Sequence, residues 1–250
     1  MIKSLLRALE ILDLMKKNDH GYTIAELSDR TELPPSTVHR ILQTFCEMHY
    51  VTRNDESHTY ELGPALISLG RAAIGNFDIQ RAAVPVLRSL TQETREDSYL
   101  VVKNGNIGLV LLKQNGPNHL KVVEEFGYEM DLHCGAIRKV LLAYQPASYI
   151  RYYLDEIVSR PEAFPQISSR ALEKELAEIR RDGYAISYGD YVHDSVGIGA
   201  PVFDAEGKIS ASLGIIAPIS RVDDARKDRL SRAIQKAARD LSYSAGYAPA

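Results

Sequence analysis

Short hydroxyls and planar nitrogen donors occupy one side of a segment close to residue 40. The side chains on that side are Ser36, Thr37, His39, Arg40, Gln43 and Thr44. No carboxylate interrupts them before Glu47. Hydroxyls near a helix start can meet phosphate oxygens, and arginine and glutamine can reach base edges in the major groove of DNA. These residues are therefore candidate DNA contacts, and the competing interpretation is an ordinary solvated helix face.

An apolar stripe on the opposite side indicates the helix that would position these donors. The stripe has helical spacing and consists of Val38, Ile41, Leu42 and Phe45. Pro35 suits the first position of such a helix, because its missing N–H costs nothing there. Thr23 stands three residues before Glu26, and this capping-box pattern predicts a preceding helix. An amphipathic first helix is predicted over residues 2–17, with the apolar residues Ile2, Leu5, Leu9 and Leu12.

A polar hairpin follows the helices. Residues 50–53 and 59–62 have strand character and flank a polar turn, and Arg53 in the first strand can touch phosphate. Three helices followed by this hairpin predict a winged helix-turn-helix over residues 1–63. Seven basic and ten acidic residues within 1–62 leave a balance of −3. DNA affinity must therefore come from a few local cations, which favours a dimer that doubles the contacts.

The bulk composition bounds the class of protein. A chain of 250 residues suits one small and one medium domain, and 45% apolar residues can supply a core for each. No apolar run is long enough to cross a bilayer, and the N-terminus lacks the pattern of a secretory signal. The only cysteines are Cys46 and Cys134, which argues against a disulfide framework and favours a reducing cytoplasm.

The pattern beyond the hairpin changes twice. Residues 64–79 form a largely uncharged stretch that predicts a linker helix, with a dimer surface or intramolecular packing as equal alternatives for its apolar side. The next helical pattern contains Pro85, which should bend that helix or mark a start within it. Farther on the period becomes two, and Asn104-Gly105 signals a hairpin. Helices among further strands, one of them at 119–124, predict an α+β domain with an antiparallel sheet over residues 80–250.

Several segments carry a family resemblance. The run STVHRILQTF from Ser36, the hairpin end YELG from Tyr60 and the segment DLHCGAIRKVLLA from Asp131 resemble the IclR family of bacterial transcriptional regulators. The resemblance implies an N-terminal winged helix-turn-helix, a linker helix and a C-terminal GAF-like antiparallel sheet domain with flanking helices. The effector-site residues implied by the family pattern are Leu132, Cys134, Gly135, Ala136, Ser187, Asp190, Gly197, Gly214 and Ile216.

The resemblance also implies a ligand-responsive regulator, repressor or activator, of a catabolic or metabolic operon. It would bind an inverted-repeat operator as a homodimer or homotetramer and sense a small carboxylate or aromatic metabolite. The sequence departs from the family pattern at Arg138, where glycine is usual, and at Gly214 and Ile216, where serine is frequent. The lost hydroxyls favour a more apolar ligand, while backbone N–H groups at Gly135 and Ala136 can hold an anion.

Other functions rest on fewer residues. An enzyme would use His133 and Cys134, with acidic and histidine side chains of residues 190–194 as partners, but no base or oxyanion pattern completes the set. A candidate metal set that lacks ligand spacing is His119, His133, Cys134, His193 and Asp194. A ligand-independent architectural protein would not need so large a second domain. We therefore expect no catalytic residue, no cofactor and no metal.

Overall fold

The computed structural model divides the chain into two compact units, Met1–Phe77 and Asp78–Ala250. The residues that it describes are 2–16, 18, 20–75, 78–119, 127–163, 165–190 and 192–248. For 71–75 and 78 the backbone alone is described. The domain limits expected at residues 63 and 80 stay predictions.

The first unit is built on helices and a two-stranded hairpin. Its elements are α1 (Lys3–Met15), α2 (Ile24–Thr31), α3 (Pro35–Glu47), β1 (Val51–Arg53), β2 (Tyr60–Leu62) and α4 (Ala65–Gly75). The Thr23 hydroxyl accepts from the Glu26 N–H and the Glu26 carboxylate accepts from the Thr23 N–H, which confirms the capping box that starts α2. Glu32 adopts a φ of 54° and ends α2, and α3 begins three residues later at Pro35. This is the winged helix-turn-helix that the sequence predicts.

A small core fixes the angle of α3. Ile11 and Met15 of α1, Leu27 of α2, and Val38 and Leu42 of α3 are all buried in one apolar cluster. Full burial of side chains of this size contributes on the order of 1.5–3 kcal/mol each. Because the apolar side of α3 is held in this cluster, its polar side faces away from the unit.

The N-terminal half of α1 presents its apolar side chains to solvent. Ile2 is 68% exposed, Leu5 55% and Leu9 51%. The amphipathic spacing predicts the helix correctly, but this stripe does not enter the core of its own unit. Only Ile11 and Met15 of α1 are buried, so the first two turns extend past the core.

The second unit is a six-stranded antiparallel sheet between layers of helices. Its strands are β3 (Asp97–Asn104), β4 (Ile107–Gln114), β5 (Glu129–Asp131), β6 (Ala185–Tyr188), β7 (Ser195–Phe203) and β8 (Ile209–Pro218). They are ordered β5-β4-β3-β8-β7-β6. Its helices are α5 (Asp78–Thr94), α6 (Gly135–Ala143), α7 (Ala147–Tyr153), α8 (Ser169–Asp182) and α9 (Asp224–Ser244). The unit is the α+β domain that the sequence predicts.

Strand side chains alternate between the two faces of the sheet, as a period of two requires. Leu100 and Val102 of β3 pack with residues of α5 and α9 in one core. Tyr99 and Val101 of the same strand pack with residues of α6, α7 and α8 in another. The sheet is therefore covered on both faces, and α6 lies over its centre.

The second unit contains two segments for which the sequence made a specific prediction and one strand that it did not predict. α5 runs as one helix through Pro85, which lies on its exposed side, where water can satisfy the backbone oxygen that loses its partner. The strand predicted at 119–124 lies, apart from His119, outside the described residues. The edge strand β5 has three residues and no periodic pattern, so the sequence did not predict it. None of the helices in the described part of the chain is long and apolar enough to span a membrane.

Candidate nucleic-acid interface and effector site

The polar side of α3 is open to solvent. The exposed side chains on it are Ser36, His39, Arg40, Gln43 and Thr44, with Thr37 half-buried. Val38 and Leu42 hold the opposite side in the core. A helix that projects donors in one direction, beside a β-hairpin, has the form that helix-turn-helix proteins insert into the major groove.

Two of these side chains have partners within α3. The Thr44 hydroxyl donates to the Arg40 backbone oxygen over 3.0 Å, so toward a ligand it can only accept. The Gln43 side-chain amide lies 3.4 Å from Glu47 Oε1, a weak bond that a base edge can replace. The Arg40 guanidinium has no hydrogen bond or ion pair with any described residue. Arg40 is therefore the cation on this face that is free to contact DNA.

Arg7 of α1 shares a surface with Arg40. A concavity of about 240 Å³ between α1 and α3 is lined by Ser4, Arg7, Thr37, Arg40, Ile41 and Thr44. Two guanidinium groups with nearby hydroxyls suit the phosphate backbone that flanks a groove. Arg7 was not among the predicted contacts, because a sequence does not reveal which side of α1 meets α3. The available signal was the polar pair Ser4 and Arg7, three residues apart.

Arg53 is the last residue of β1 and lies next to the hairpin turn. Its Nε atom is 3.6 Å from the Asp55 carboxylate and its Nη2 atom is 3.4 Å from His58 Nδ1. Its guanidinium carbon lies 6.0 Å from the centre of the Tyr60 ring. These contacts orient Arg53, but the exposed Asp55 carboxylate offsets part of its charge. Arg53 stays a candidate for a phosphate contact of modest strength.

In the second unit, a cavity of about 10 Å³ collects most of the predicted effector residues. The residues around it are Gly135, Ala136, Ile137, Arg138, Ser187, Asp190, Ser195, Gly197 and Ile216. Leu132, Cys134 and Gly214 are buried and do not line it. A volume of this size accommodates about one water molecule. Anything larger than a water molecule fits here only if these walls separate.

A hydrogen bond closes the cavity on one side. The Ala136 N–H donates to Ser187 Oγ over 2.9 Å and joins the first turn of α6 to β6. Gly197 makes room for this contact, because a Cβ atom there would lie 2.8 Å from Ser187 Oγ. The Ala136 N–H, expected as an anion donor, already has a partner. An anion reaches it only if Ser187 moves.

Two further glycines let α6 lie close to the sheet. A Cβ atom at Gly199 would lie 2.7 Å from Ile137 Cα. At Gly214 it would lie 2.2 Å from the Ile198 backbone oxygen and 2.8 Å from Ile137 Cγ1. Gly214 therefore serves the packing of α6, and a serine hydroxyl has no space at this position.

A buried lysine connects α6 to two acidic residues. Lys139 Nζ lies 2.8 Å from Glu175 Oε1 of α8 and 2.7 Å from Asp190 Oδ2 in the loop after β6. Burial by itself lowers the pKa of Lys139, but the Glu175 and Asp190 carboxylates more than offset it and raise the pKa above its ordinary value. The lysine is charged, and it fixes the position of Asp190 at the cavity wall.

Arg138 is a wall residue that the predicted effector set did not include. Its side chain is buried, its Nε atom donates to the Gly108 backbone oxygen over 3.4 Å, and its guanidinium lies 5.7 Å from the Tyr128 ring. Gly108 is needed here, since a Cβ atom would lie 2.8 Å from Arg138 Cγ. The sequence feature that could have identified Arg138 as a wall residue was the arginine at a position where the family usually has glycine.

His133 and Cys134, the residues on which an enzyme would rely, are both buried. His133 Nδ1 lies 3.0 Å from the Tyr153 hydroxyl, and burial lowers the pKa of His133. Cys134 is buried, and burial together with the Asp131 carboxylate raises the pKa of its thiol to about 12. A thiol in this state is protonated near neutral pH and is a poor nucleophile. The described residues contain no group of three or more His, Cys, Asp or Glu side chains that could hold one metal ion.

Both units match models of one protein family. Residues 4–55 match the IclR helix-turn-helix domain, and residues 71–243 match the C-terminal domain of the bacterial transcriptional regulator IclR. The second match alone covers more than half of the chain. The chain belongs to the IclR family of bacterial transcriptional regulators.

Relatives of this IclR-family chain are similar over almost its whole length. The HTH-type transcriptional regulator BhcR of Paracoccus denitrificans is 32% identical over 99% of this chain and 88% of its own. The HTH-type transcriptional regulator KdgR of Escherichia coli is 30% identical over 98% of this chain and 94% of its own. The crystal structure of an IclR transcriptional regulator from Alicyclobacillus acidocaldarius has a TM-score of 0.84 at 23% identity, covering 98% of this chain and 100% of the other.

Membership in the IclR family accounts for the pairing of the two units. The helix-turn-helix unit binds DNA, and the C-terminal unit senses a ligand. The chain is therefore a ligand-responsive, DNA-binding transcriptional regulator, as its sequence predicts.

Proposed function

We propose that α3 enters the major groove of an operator and that Arg40 reads a guanine there. The exposed guanidinium of Arg40, which has no partner among the described residues, carries this proposal, because a guanine presents two acceptors that match it. Ser36 and Thr37, at the start of α3, contact phosphate. Arg7 contributes a second phosphate contact from α1. The remaining predicted contacts are His39, Gln43, Thr44 and Arg53.

The regulator binds as a homodimer or a higher homo-oligomer. The support is the exposed apolar stripe of α1, in which Ile2, Leu5, Leu6 and Leu9 lie at helical spacing. A second copy of the chain that covers this stripe would bring two α3 helices onto two half-sites of an inverted repeat. The exposed Ile67 and Leu69 of α4 offer a further surface of the same kind.

The effector binds where α6, β6 and β7 meet. The support is the set of walls around the 10 Å³ cavity, which combines the Ala136 N–H and the Ser187 hydroxyl with the apolar Ile216. Donors beside an apolar wall fit a small carboxylate or aromatic metabolite. Its entry requires the Ala136 to Ser187 hydrogen bond to open. The resulting change in the position of α6 relative to β6 is what alters the affinity of the regulator for DNA.

The regulator acts in the cytoplasm on a catabolic or metabolic operon, as repressor or activator, and it is not an enzyme. A cytoplasmic location follows from the need to reach the chromosome. The absence of catalysis rests on the protonated Cys134 thiol and on the pairing of His133 with Tyr153.

The decisive experiment measures binding of the full-length protein to DNA from the promoter of its own gene, by fluorescence anisotropy at several salt concentrations. We expect salt-dependent binding to an inverted repeat and a weaker affinity for a random duplex of the same length. Equal affinity for both duplexes would refute an operator-binding role.

The sensor site is tested with a thermal-shift screen of small carboxylates and aromatic acids, followed by DNA binding with each hit. Asp190→Ala should alter the response to the effector while operator binding in its absence is kept. A normal response in that variant would remove Asp190 from the sensor site.

A further inference from the structure

A second cavity in the C-terminal unit has the size of a ligand site. Its volume is about 300 Å³, within the range of small-molecule pockets. Tyr144, Phe203, Tyr243 and Tyr247 supply aromatic walls, and Arg239, Gln235 and Asp182 supply polar groups. It shares no lining residue with the effector cavity. The effector cavity lies at the first turn of α6 and this one follows its last turn, roughly 13 Å away along the helix.

The aromatic walls are held by contacts between the rings. Tyr144 meets Phe203 edge-on, with ring centres 5.2 Å apart, and Phe203 lies 5.3 Å from Tyr247 at an interplanar angle of 36°. All three side chains are only half-buried, which leaves ring surface open to the cavity. A planar ring that packs against these open surfaces gains an arrangement that aromatic pairs favour, worth about 0.5–1.5 kcal/mol beyond the apolar area that it buries.

Hydrogen bonds between side chains and the backbone connect the same walls. The Phe203 N–H donates to Ser242 Oγ over 3.0 Å, which ties β7 to α9. The Gln235 side-chain amide donates to the Asp182 backbone oxygen over 3.2 Å, which ties α9 to α8. The Arg180 guanidinium donates to the Ala143 and Gln145 backbone oxygens and ties α8 to the end of α6. The cavity is therefore framed by rigid elements.

The charge balance of the walls favours an anion. Asp182 is the carboxylate at the cavity, and Arg181 neutralises it through contacts of 2.7 and 3.0 Å. Arg180 is occupied by backbone oxygens. The Arg239 guanidinium has no hydrogen bond or ion pair with any residue that the structure describes. One uncompensated cation thus stands beside aromatic faces.

We propose that this pocket is a second ligand site, separate from the effector cavity, and that it binds an aromatic monocarboxylate. The ring packs against the open surfaces of Tyr144, Phe203 and Tyr247, and the carboxylate accepts from the exposed Arg239 guanidinium. Tyr144 directly follows α6, whose first turn lines the effector cavity, so a ligand here contacts the residue that ends this helix.

The test is calorimetric titration of the full-length protein with three probes. Benzoate carries both features, benzamide keeps the ring without the charge, and cyclohexanecarboxylate keeps the charge without the planar ring. We expect benzoate to bind at least tenfold more tightly than either of the others. Equal binding of all three, or no binding of benzoate at millimolar concentration, overturns the proposal.

Matched variants locate the site. Arg239→Gln should weaken benzoate binding on the order of tenfold or more, because a charged hydrogen bond is lost. Phe203→Leu should weaken it as well. Arg232→Gln, an exposed arginine of α9 outside the pocket, should leave it unchanged. Unaltered affinity in Arg239→Gln overturns the proposal, and so does a loss of affinity in Asp190→Ala, which would assign benzoate to the effector cavity. The readout does not involve DNA, so a failure of operator binding leaves it intact.

Discussion

Lys139 and Asp190 form an ion pair with a separation of 2.7 Å that joins α6 to the loop after β6. Glu175 of α8 is the second acceptor of the same lysine, at 2.8 Å. The side chain of Lys139 is 5% exposed, so the three charges interact where water screens them little. The position of the effector-cavity wall therefore depends on a residue that does not itself line the cavity.

Removal of this lysine should strongly destabilise the second unit. Lys139→Met leaves two carboxylates close together without a cation, and we expect a loss of about 3 kcal/mol in the free energy of unfolding. Since the pKa of Lys139 is raised, its contribution is complete below the ordinary lysine value of about 10.4 and is lost only as pH rises through the higher, folded-state value. The loss should therefore be the same at pH 7 and pH 9 in urea titrations. Lys174→Met, an exposed lysine of α8, is the control.

Gly214→Ser, which introduces the residue that is frequent at this position in the family, should destabilise the second unit. Its Cβ atom would meet the Ile198 backbone oxygen, so β7 and α6 must shift. Overpacking of this kind costs about 1–3 kcal/mol, and the contact with backbone places this case at the upper end. Thermal unfolding measures the effect, with Gly70→Ser as the control because nothing lies within 4 Å of a Cβ atom there. Equal stability of both variants would contradict the packing role of Gly214.

Arg40 and Arg7 should affect DNA binding in different ways. Arg40→Ala should cost about 1–3 kcal/mol for the operator and relax the preference at one base pair. Arg7→Ala should weaken binding to operator and random DNA alike and reduce the salt slope by about one. Fluorescence anisotropy on both duplexes separates the two effects. Lys16→Ala, at the far end of α1, should change neither quantity, and a shift in base preference for Arg7→Ala would assign that residue a different role.

The exposed apolar stripe on α1 should affect the preference of the regulator for an inverted repeat over a single half-site. Leu5→Glu combined with Leu9→Glu places two charges on the proposed contact between copies and should reduce the advantage of an inverted repeat over a single half-site. Val84→Glu, at an exposed apolar position of α5, should preserve that advantage. The measurement is the ratio of the two dissociation constants. If the double variant keeps the ratio of the wild type, the stripe is not the pairing surface.

Cys134 should resist alkylation in the folded protein. With a thiol pKa of about 12, roughly one molecule in ten thousand carries the thiolate at pH 8, and the side chain is buried as well. Cys46 also has a raised pKa through burial, but it is partly exposed and should react first. Mass spectrometry after iodoacetamide treatment distinguishes the two cysteines. Rapid labelling of Cys134 at pH 8 would revive the thiol-enzyme hypothesis.

Local chemistry made much of the fold predictable. The capping box at Thr23 and Glu26, the proline at the start of α3 and the alternation around Tyr99 to Val102 each act over a few residues. Their outcome therefore depends little on the rest of the chain. The Asn104-Gly105 turn is similar, with Gly105 at a φ of 57° between β3 and β4.

Relationships between elements were beyond the reach of the sequence. A helical period identifies the apolar side of α1 at Leu5 and Leu9, but it cannot say whether that side meets its own core or another chain. Whether Arg7 and Arg40 lie on the same surface depends on the angle between α1 and α3. The family pattern placed Gly214 in the effector site, and it could not reveal that a Cβ atom at this position would overlap the Ile198 backbone oxygen.

The small volume of the effector cavity has a consequence for dose response. If the walls must separate before a metabolite fits, the apparent dissociation constant equals the intrinsic one divided by the fraction of molecules that are open. The concentration at which the operon responds is then set jointly by the ligand contacts and by the Ala136 to Ser187 and Lys139 to Asp190 links. Because Lys139 does not line the cavity, a substitution there that loosens its link to Asp190 would shift the metabolite concentration at which the regulator responds without altering the contacts that select the metabolite.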